Sequence, residues 1–181
     1  MHFSKHYSNG CFLWVTVPAK CGSRTLHKML HNSTNNLSLC DKDIISYMVR
    51  VAFVRNPVDR LKSFYSHWIL DRNQDNIQKE INSFSNLLEN LAYFQKKYHW
   101  IDLHTKKYHK VLRHDFEYDK FFNTNDINTT FLEYLNSVCD IPVDSMHLNS
   151  SDSAKVSYTQ ADKILIENIY AKDYDLYGKY F

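Results

Sequence analysis

The 181-residue sequence predicts an α/β fold with a central, mostly parallel sheet flanked by helices. Three observations carry the prediction. Cys11–Val17 (CFLWVTV) is a short, aromatic and β-branched run bounded by Gly10 and Pro18, the pattern of a fully buried strand. Met48–Val54 (MVRVAFV) is a second run of the same kind. Each leads into a segment with apolar residues at helical spacing, and strands that alternate with helices argue for a parallel sheet.

The elements follow in order. Arg24–Asn32 carries Leu26, Met29 and Leu30 on one helical face. Pro57 stands where a helix begins, and Leu61, Phe64, Tyr65 and Trp68 continue at helical spacing to Leu70. Asp75–Lys97 carries Ile77, Ile81, Phe84, Leu87, Leu88, Leu91 and Phe94, the stripe of one amphipathic helix. Val111–Arg113 is a candidate short strand, and Phe116–Phe122 and Ile127–Val138 read as helices. Leu148–Ser157 is polar and loop-like. Thr159–Tyr174 is a final helix with Ile164, Leu165, Ile169 and Tyr170 on its buried side. The length suggests one domain, 1–181, with two small ones allowed.

A hydrophobic content of 44% suits a globular chain and excludes a disordered one. The formal net charge of +2 argues against a polyanion partner, so no nucleic acid is expected and any anion site must be a local cluster. Cys11, Cys21, Cys40 and Cys139 match neither a zinc spacing nor a CxxC redox motif, and reduced thiols are expected. The ten histidines show no metal-ligand spacing, so no metal is expected. Cys11–Val17 is short for the apolar part of a signal peptide and lacks a small-residue cleavage site. No apolar stretch approaches the roughly 18 residues of a membrane span. A cytoplasmic protein with no membrane span is the resulting expectation. The sequons at Asn32, Asn36, Asn128 and Asn149 are explained by chance in an Asn-rich chain.

Glycine is scarce, with three where average usage gives roughly 13. One of them marks the first chemical constellation, Val17-Pro18-Ala19-Lys20-Cys21-Gly22-Ser23-Arg24-Thr25-Leu26. Here a buried strand enters a tight loop and then a helix. The N–H groups and dipole of a helix N-terminus favour a phosphate or sulfate. Gly22 lets backbone approach the anion, Ser23 and Thr25 supply short hydroxyls, and Lys20 supplies a mobile positive charge. The loop is not a Walker A motif, because Lys20 precedes the only glycine instead of following the second. A plain strand–turn–helix with Ser23 as cap is the alternative.

The second constellation is Phe53-Val54-Arg55-Asn56-Pro57-Val58-Asp59-Arg60-Leu61-Lys62-Ser63-Phe64-Tyr65. Arg55 lies at the C-terminal end of a strand, the edge where open α/β sheets bind ligands. Ser63 follows eight residues on, about two helical turns. Arg55 offers a planar fork to a phosphate and Ser63 one further donor. Arg60 reads as structural. The alternative for the whole segment is a capped helix with a surface Arg–Asp pair, Arg60 with Asp59 or Asp115.

These motifs resemble those of sulfotransferases that use 3'-phosphoadenosine-5'-phosphosulfate (PAPS). The first is similar to the family's 5'-phosphosulfate loop, Pro-Lys-x-Gly-[Ser/Thr]-[Ser/Thr]-x-Leu. It departs in two places: Ala19 separates Pro18 from Lys20, and Arg24 stands where a small hydroxyl residue is common. The second matches the 3'-phosphate segment, Arg-[Asp/Asn]-Pro-x-x-Arg-x-x-Ser-x-Tyr, at every fixed position. Leu112-Arg113-His114-Asp115-Phe116 resembles a Leu-Arg-Tyr-Glu-Asp-Leu stretch of many members. His147-Leu148-Asn149, Tyr158 and Ile169-Tyr170-Ala171-Lys172-Asp173 through Gly178 resemble the tail of Golgi-type carbohydrate sulfotransferases. The resemblance is absent from Asp71 to His109.

The resemblance implies a three-layer, P-loop-like version of the α/β fold and PAPS as sulfate donor, with no metal. Lys20 would be catalytic, stabilising the leaving phosphate. Lys20, Cys21, Gly22, Ser23, Arg24 and Thr25 would hold the 5'-phosphosulfate, and Arg55 and Ser63 the 3'-phosphate. The acceptor would be a hydroxyl compound, a carbohydrate by the tail resemblance. Trp68 and Trp100 could offer aromatic faces to a sugar, and Lys155 could close over the nucleotide. The general base stays open among His31, Asp41, His67 and Glu80. Two alternatives remain: a non-catalytic nucleotide- or anion-binding module derived from a sulfotransferase, and a P-loop kinase-like enzyme.

Overall fold

The two buried runs form neighbouring parallel strands, and the helices follow them in the predicted order. The computed structural model of the chain describes residues 2–6, 12–31, 48–72, 75–112, 117–139 and 155–181. In chain order the described elements begin with β1 (His2–His6), β2 (Phe12–Thr16), α1 (Ser23–His31), β3 (Met48–Val54) and α2 (Pro57–Tyr65). α3 (Asp75–Glu80), α4 (Phe84–Glu89), α5 (Leu91–Lys97), α6 (His99–Thr105) and β4 (Lys120–Asn123) come next. α7 (Thr130–Cys139), α8 (Gln160–Ile169) and α9 (Ala171–Tyr177) complete the set. Two compact units result, one of Met1–Val54, Leu112–Asn149 and Tyr180, the other of Arg55–Val111, Ser150–Lys179 and Phe181.

The first unit is built on a sheet of order β1-β2-β3-β4. β1 runs antiparallel to β2, while β2, β3 and β4 run parallel. The protein is thus α/β with a small three-stranded parallel core and one antiparallel edge strand. Thr16 pairs with Ala52, so β2 and β3 end at the same edge of the sheet. Leu13, Val15, Val51, Phe53 and Val54 are fully buried, as strands covered on both faces require. Phe53 stacks on Phe122 at 5.7 Å, and Phe131 of α7 meets both rings edge-on at 4.8 and 5.2 Å.

β4 corrects the helix expected over Phe116–Phe122. The Arg50 N–H donates to Asp119 Oδ2 at 2.6 Å and the Asp119 N–H returns a bond to Arg50 C=O at 2.8 Å. This reciprocal pair starts a ladder in which Lys120 pairs with Val51 and Asn123 with Val54. Asn123 then ends the strand by capping the single-turn 3₁₀ helix Thr124–Asn128. Four residues are too few for periodicity to mark them as strand, and long-range pairing decides. The expected strand at Val111–Arg113 does not form at Val111 and Leu112, and Arg113 lies outside the described residues.

The second unit is helical. Asn56 is extended, as a residue before proline prefers, and its side chain accepts the Val58 N–H at 2.9 Å to cap α2. Past Tyr65 the helix widens over Ser66–Leu70, where the Asp71 N–H reaches back to Ser66 C=O at 2.9 Å. The single helix expected over Asp75–Lys97 is three. Ser83 caps α4 through the Asn86 N–H at 3.0 Å, and Asn90 closes α4 and opens α5. Ile81, Phe84, Leu87, Leu88, Leu91 and Phe94 are nonetheless all buried with Leu61, Phe64 and Ile69 in one core. Short helices kept in phase preserve the apolar stripe while breaking the backbone. The expected final helix is likewise two, α8 and α9, parted at Tyr170. Thr159 caps α8 reciprocally with Asp162.

Candidate functional site

In the first unit, β2 leads through Val17 and Pro18 into the suspected anion loop. The Cys21 N–H donates to Pro18 C=O at 3.2 Å, closing a tight turn with Ala19 and Lys20 at its centre. Lys20 has φ +67°, in the left-handed region where turns of this kind normally carry glycine or asparagine. Ala19, the residue that parts Pro18 from Lys20, is therefore what makes room for the turn. Holding a non-glycine residue there costs about 1–2 kcal/mol, and strain of this kind concentrates at functional sites. Gly22 follows with φ +78°, and a Cβ on it would stand 2.4 Å from Ile127 Cδ1. Glycine is required here by backbone conformation and by the packing of Ile127, besides any ligand.

α1 then starts at Ser23, and the Leu26 N–H bonds Gly22 C=O at 3.0 Å. The first turn of a helix directs its N–H groups along the axis and not to helical carbonyls, which suits an anion. Cys21 and Thr25 are buried, Lys20, Gly22 and Ser23 half-buried, and Arg24 exposed. The backbone N–H of Cys21 is engaged in the turn.

In the second unit, Arg55 is the first residue and is half-buried. Its main chain is held at both ends of the residue by one side chain. The Tyr108 hydroxyl accepts from the Arg55 N–H at 3.0 Å and donates to the Arg55 C=O at 2.8 Å. Ser63 is buried on α2. Arg60 is buried and held by a backbone carbonyl and an aromatic ring, which fits the structural reading. It is 1% exposed, donates from Nη1 to Lys106 C=O at 2.7 Å and lies 4.6 Å over the Tyr108 ring. Asp59 is exposed, and Asp115 lies outside the described residues.

The candidates for a base fare unequally. Glu80 is bonded by Lys97 Nζ at 2.6 Å and by the Tyr98 hydroxyl. The Lys97 ammonium and the Tyr98 hydroxyl hold its carboxyl below the usual range, which weakens it as a proton acceptor. His67 is half-buried on the widened turn beside Trp68. The His31 side chain and Asp41 lie outside the described residues, as do Arg113–Phe116 and His147–Ser151. Trp68 and Trp100 pack on each other at 5.3 Å and both meet Phe64 or His104, a half-buried aromatic cluster. Lys155 is exposed. Among the described residues no three His, Cys, Asp or Glu side chains are grouped to hold a metal, and no helix is long and apolar enough to cross a membrane.

Tyr108, His109 and Asp173 were not singled out as site residues by the sequence. Asp173 sits inside the Ile-Tyr-x-x-Asp tail pattern, which was the available signal. Nothing local distinguishes Tyr108 in the basic stretch Lys106-Lys107-Tyr108-His109-Lys110. Comparison of the chain with protein-family models, with curated proteins and with solved structures found no match.

Proposed function

We propose that the chain is a PAPS-dependent sulfotransferase that moves a sulfuryl group to an acceptor hydroxyl on a carbohydrate. One observation carries the reading. β2 and β3 are adjacent parallel strands, and each of the two anion-binding motifs follows directly on the C-terminal end of one of them. That edge is where open parallel sheets bind ligands. The three-layer, P-loop-like organisation belongs to the same proposal, as does a cytoplasmic setting.

In the proposed reaction the acceptor oxygen attacks sulfur in line. A new S–O bond forms, the S–O bond to the 5'-phosphate breaks, and 3',5'-ADP leaves with the electron pair. The acceptor proton passes to a base. Charge grows on the leaving phosphate oxygen, so positioning and electrostatics carry the catalysis. Lys20 would meet that charge, with the first turn of α1, Ser23 and Thr25 holding the phosphosulfate. Arg55 and Ser63 would hold the 3'-phosphate. The resembling family uses no metal, and none enters the proposal.

The test is transfer from labelled PAPS to a panel of glycans, followed by release of 3',5'-ADP. Lys20→Ala should lower the transfer rate at least about a hundredfold, the loss typical of one oxyanion-stabilising group, with nucleotide affinity within about threefold. An unchanged rate would remove Lys20 from the chemistry. Binding of 3',5'-ADP with no transfer to any acceptor would favour a non-catalytic nucleotide-binding module.

A further inference from the structure

We propose that Tyr108 is a positioning residue for Arg55, and that Asp173 fixes Tyr108 in turn. The inference rests on the reading of Arg55 as a 3'-phosphate ligand.

Tyr108 is fully buried, and its single hydroxyl both accepts from and donates to the main chain of Arg55. The two bonds fix the peptide planes on either side of the Arg55 Cα. They therefore fix the origin and direction of its side chain. A guanidinium fork recognises phosphate through two parallel bonds, so an error in that origin is felt directly in the contact.

Tyr108 is itself over-determined. Its N–H donates to Asp173 Oδ2 at 2.6 Å. The His109 N–H donates to Asp173 Oδ1 at 3.0 Å, and His109 Nδ1 stands 2.6 Å from the same oxygen. Asp173 is fully buried, so a carboxylate with three polar partners there serves the turn it holds. Two more bonds grip the preceding residues. Arg60 Nη1 donates to Lys106 C=O, and the Tyr170 hydroxyl donates to Thr105 C=O. The Tyr108 ring is wedged beneath the Arg60 guanidinium and against Tyr177 and Phe181, at 6.2 and 6.1 Å. Arg60 of the second motif and the Tyr170–Asp173 pair of the tail thus converge on one short segment, 105–109. From that segment the Tyr108 hydroxyl reaches the main chain of Arg55. Neither Arg60 nor Asp173 needs to touch the nucleotide to matter to its binding.

The experiment measures 3',5'-ADP and 5'-AMP affinities by calorimetry for the full chain and its variants. Tyr108→Phe keeps the ring and its packing and removes only the hydroxyl. It should weaken 3',5'-ADP about tenfold and leave 5'-AMP unchanged, because the 3'-phosphate alone reads Arg55. His109→Ala, at a partly exposed site, removes one partner of Asp173 and should give a loss of the same selectivity, about threefold. It carries the test should Tyr108→Phe fail to fold. Equal losses for both nucleotides would make Tyr108 merely structural, and no loss would make the clamp irrelevant; either overturns the inference. A wild-type chain that does not prefer 3',5'-ADP removes the sulfotransferase reading and this inference together. A preference abolished in Arg55→Ala but intact in Tyr108→Phe removes this inference alone.

Discussion

The two candidate anion-binding segments are shaped by different physics. The Lys20–Thr25 loop of the first unit is set by backbone conformation: two left-handed residues, Lys20 and Gly22, and a contact with Ile127 that leaves no space for a side chain. The Arg55–Ser63 segment of the second unit is set by side chains, with Asn56 capping the helix and Tyr108 holding the main chain of Arg55. A loop fixed by its backbone tolerates changes in side-chain chemistry but not in shape. A segment fixed by hydrogen bonds tolerates shape-conserving changes but not the loss of one polar atom.

The largest effect that sharpens this contrast is expected at Gly22. Gly22→Ala must place a Cβ against Ile127 in a left-handed residue, and should lower stability by about 2–3 kcal/mol in urea unfolding. In an Ile127→Ala background Gly22→Ala should cost less, since the clash is gone and φ strain alone costs about 1–2 kcal/mol. A silent Gly22→Ala would break the backbone account of the loop.

The second unit should instead respond to removal of single hydroxyls and to alkali. Tyr170→Phe deletes the buried bond to Thr105 C=O and should cost about 1–2 kcal/mol. Burial pushes the Tyr170 hydroxyl up, and burial with the nearby Glu167 and Asp59 carboxylates pushes Tyr174 up from 10.0 to about 12. A raised folded pKa favours the neutral phenol in the fold, so its contribution is complete below pH 10.0 and is lost as pH rises through about 12. Circular dichroism across that window should show stability falling, and less steeply in Tyr170→Phe. Stability flat to pH 12 would contradict the burial of these phenols.

The smallest effect is expected at Lys20. Lys20→Gly relieves the left-handed strain but frees the unfolded chain, and the two terms, each about 1 kcal/mol, should nearly cancel. Stability within about 0.5 kcal/mol of wild type, with transfer lost, would mark Lys20 as strained for function.

Much of this was legible in the sequence. β3 runs over Met48–Val54 as predicted, and α2 with its widened extension ends at Leu70, because an apolar β-branched run and an Asn-Pro start are local signals. The apolar stripe of residues 77–94 was read correctly as core but wrongly as one helix, since periodicity survives the caps at Ser83 and Asn90. β4 has no local signal because its partner lies far along the chain, as Asp119 with Arg50 shows, and β1 has none because His2–His6 is mostly polar and owes its strand form to pairing with β2. The turn at Ala19–Lys20 and the grip of Tyr108 on Arg55 are long-range or conformational, and neither leaves a local pattern.

Nucleotide preference tests the central claim most directly. Thermal melts of the full chain should show 3',5'-ADP raising the melting temperature well above 5'-AMP at equal concentration, and Arg55→Ala should erase the difference. Tenfold tighter binding adds about 1.4 kcal/mol of ligand stabilisation, enough to resolve in a melt. Equal shifts from the two nucleotides in the wild-type chain would contradict the assignment of Arg55 to a 3'-phosphate and, with it, the sulfotransferase reading.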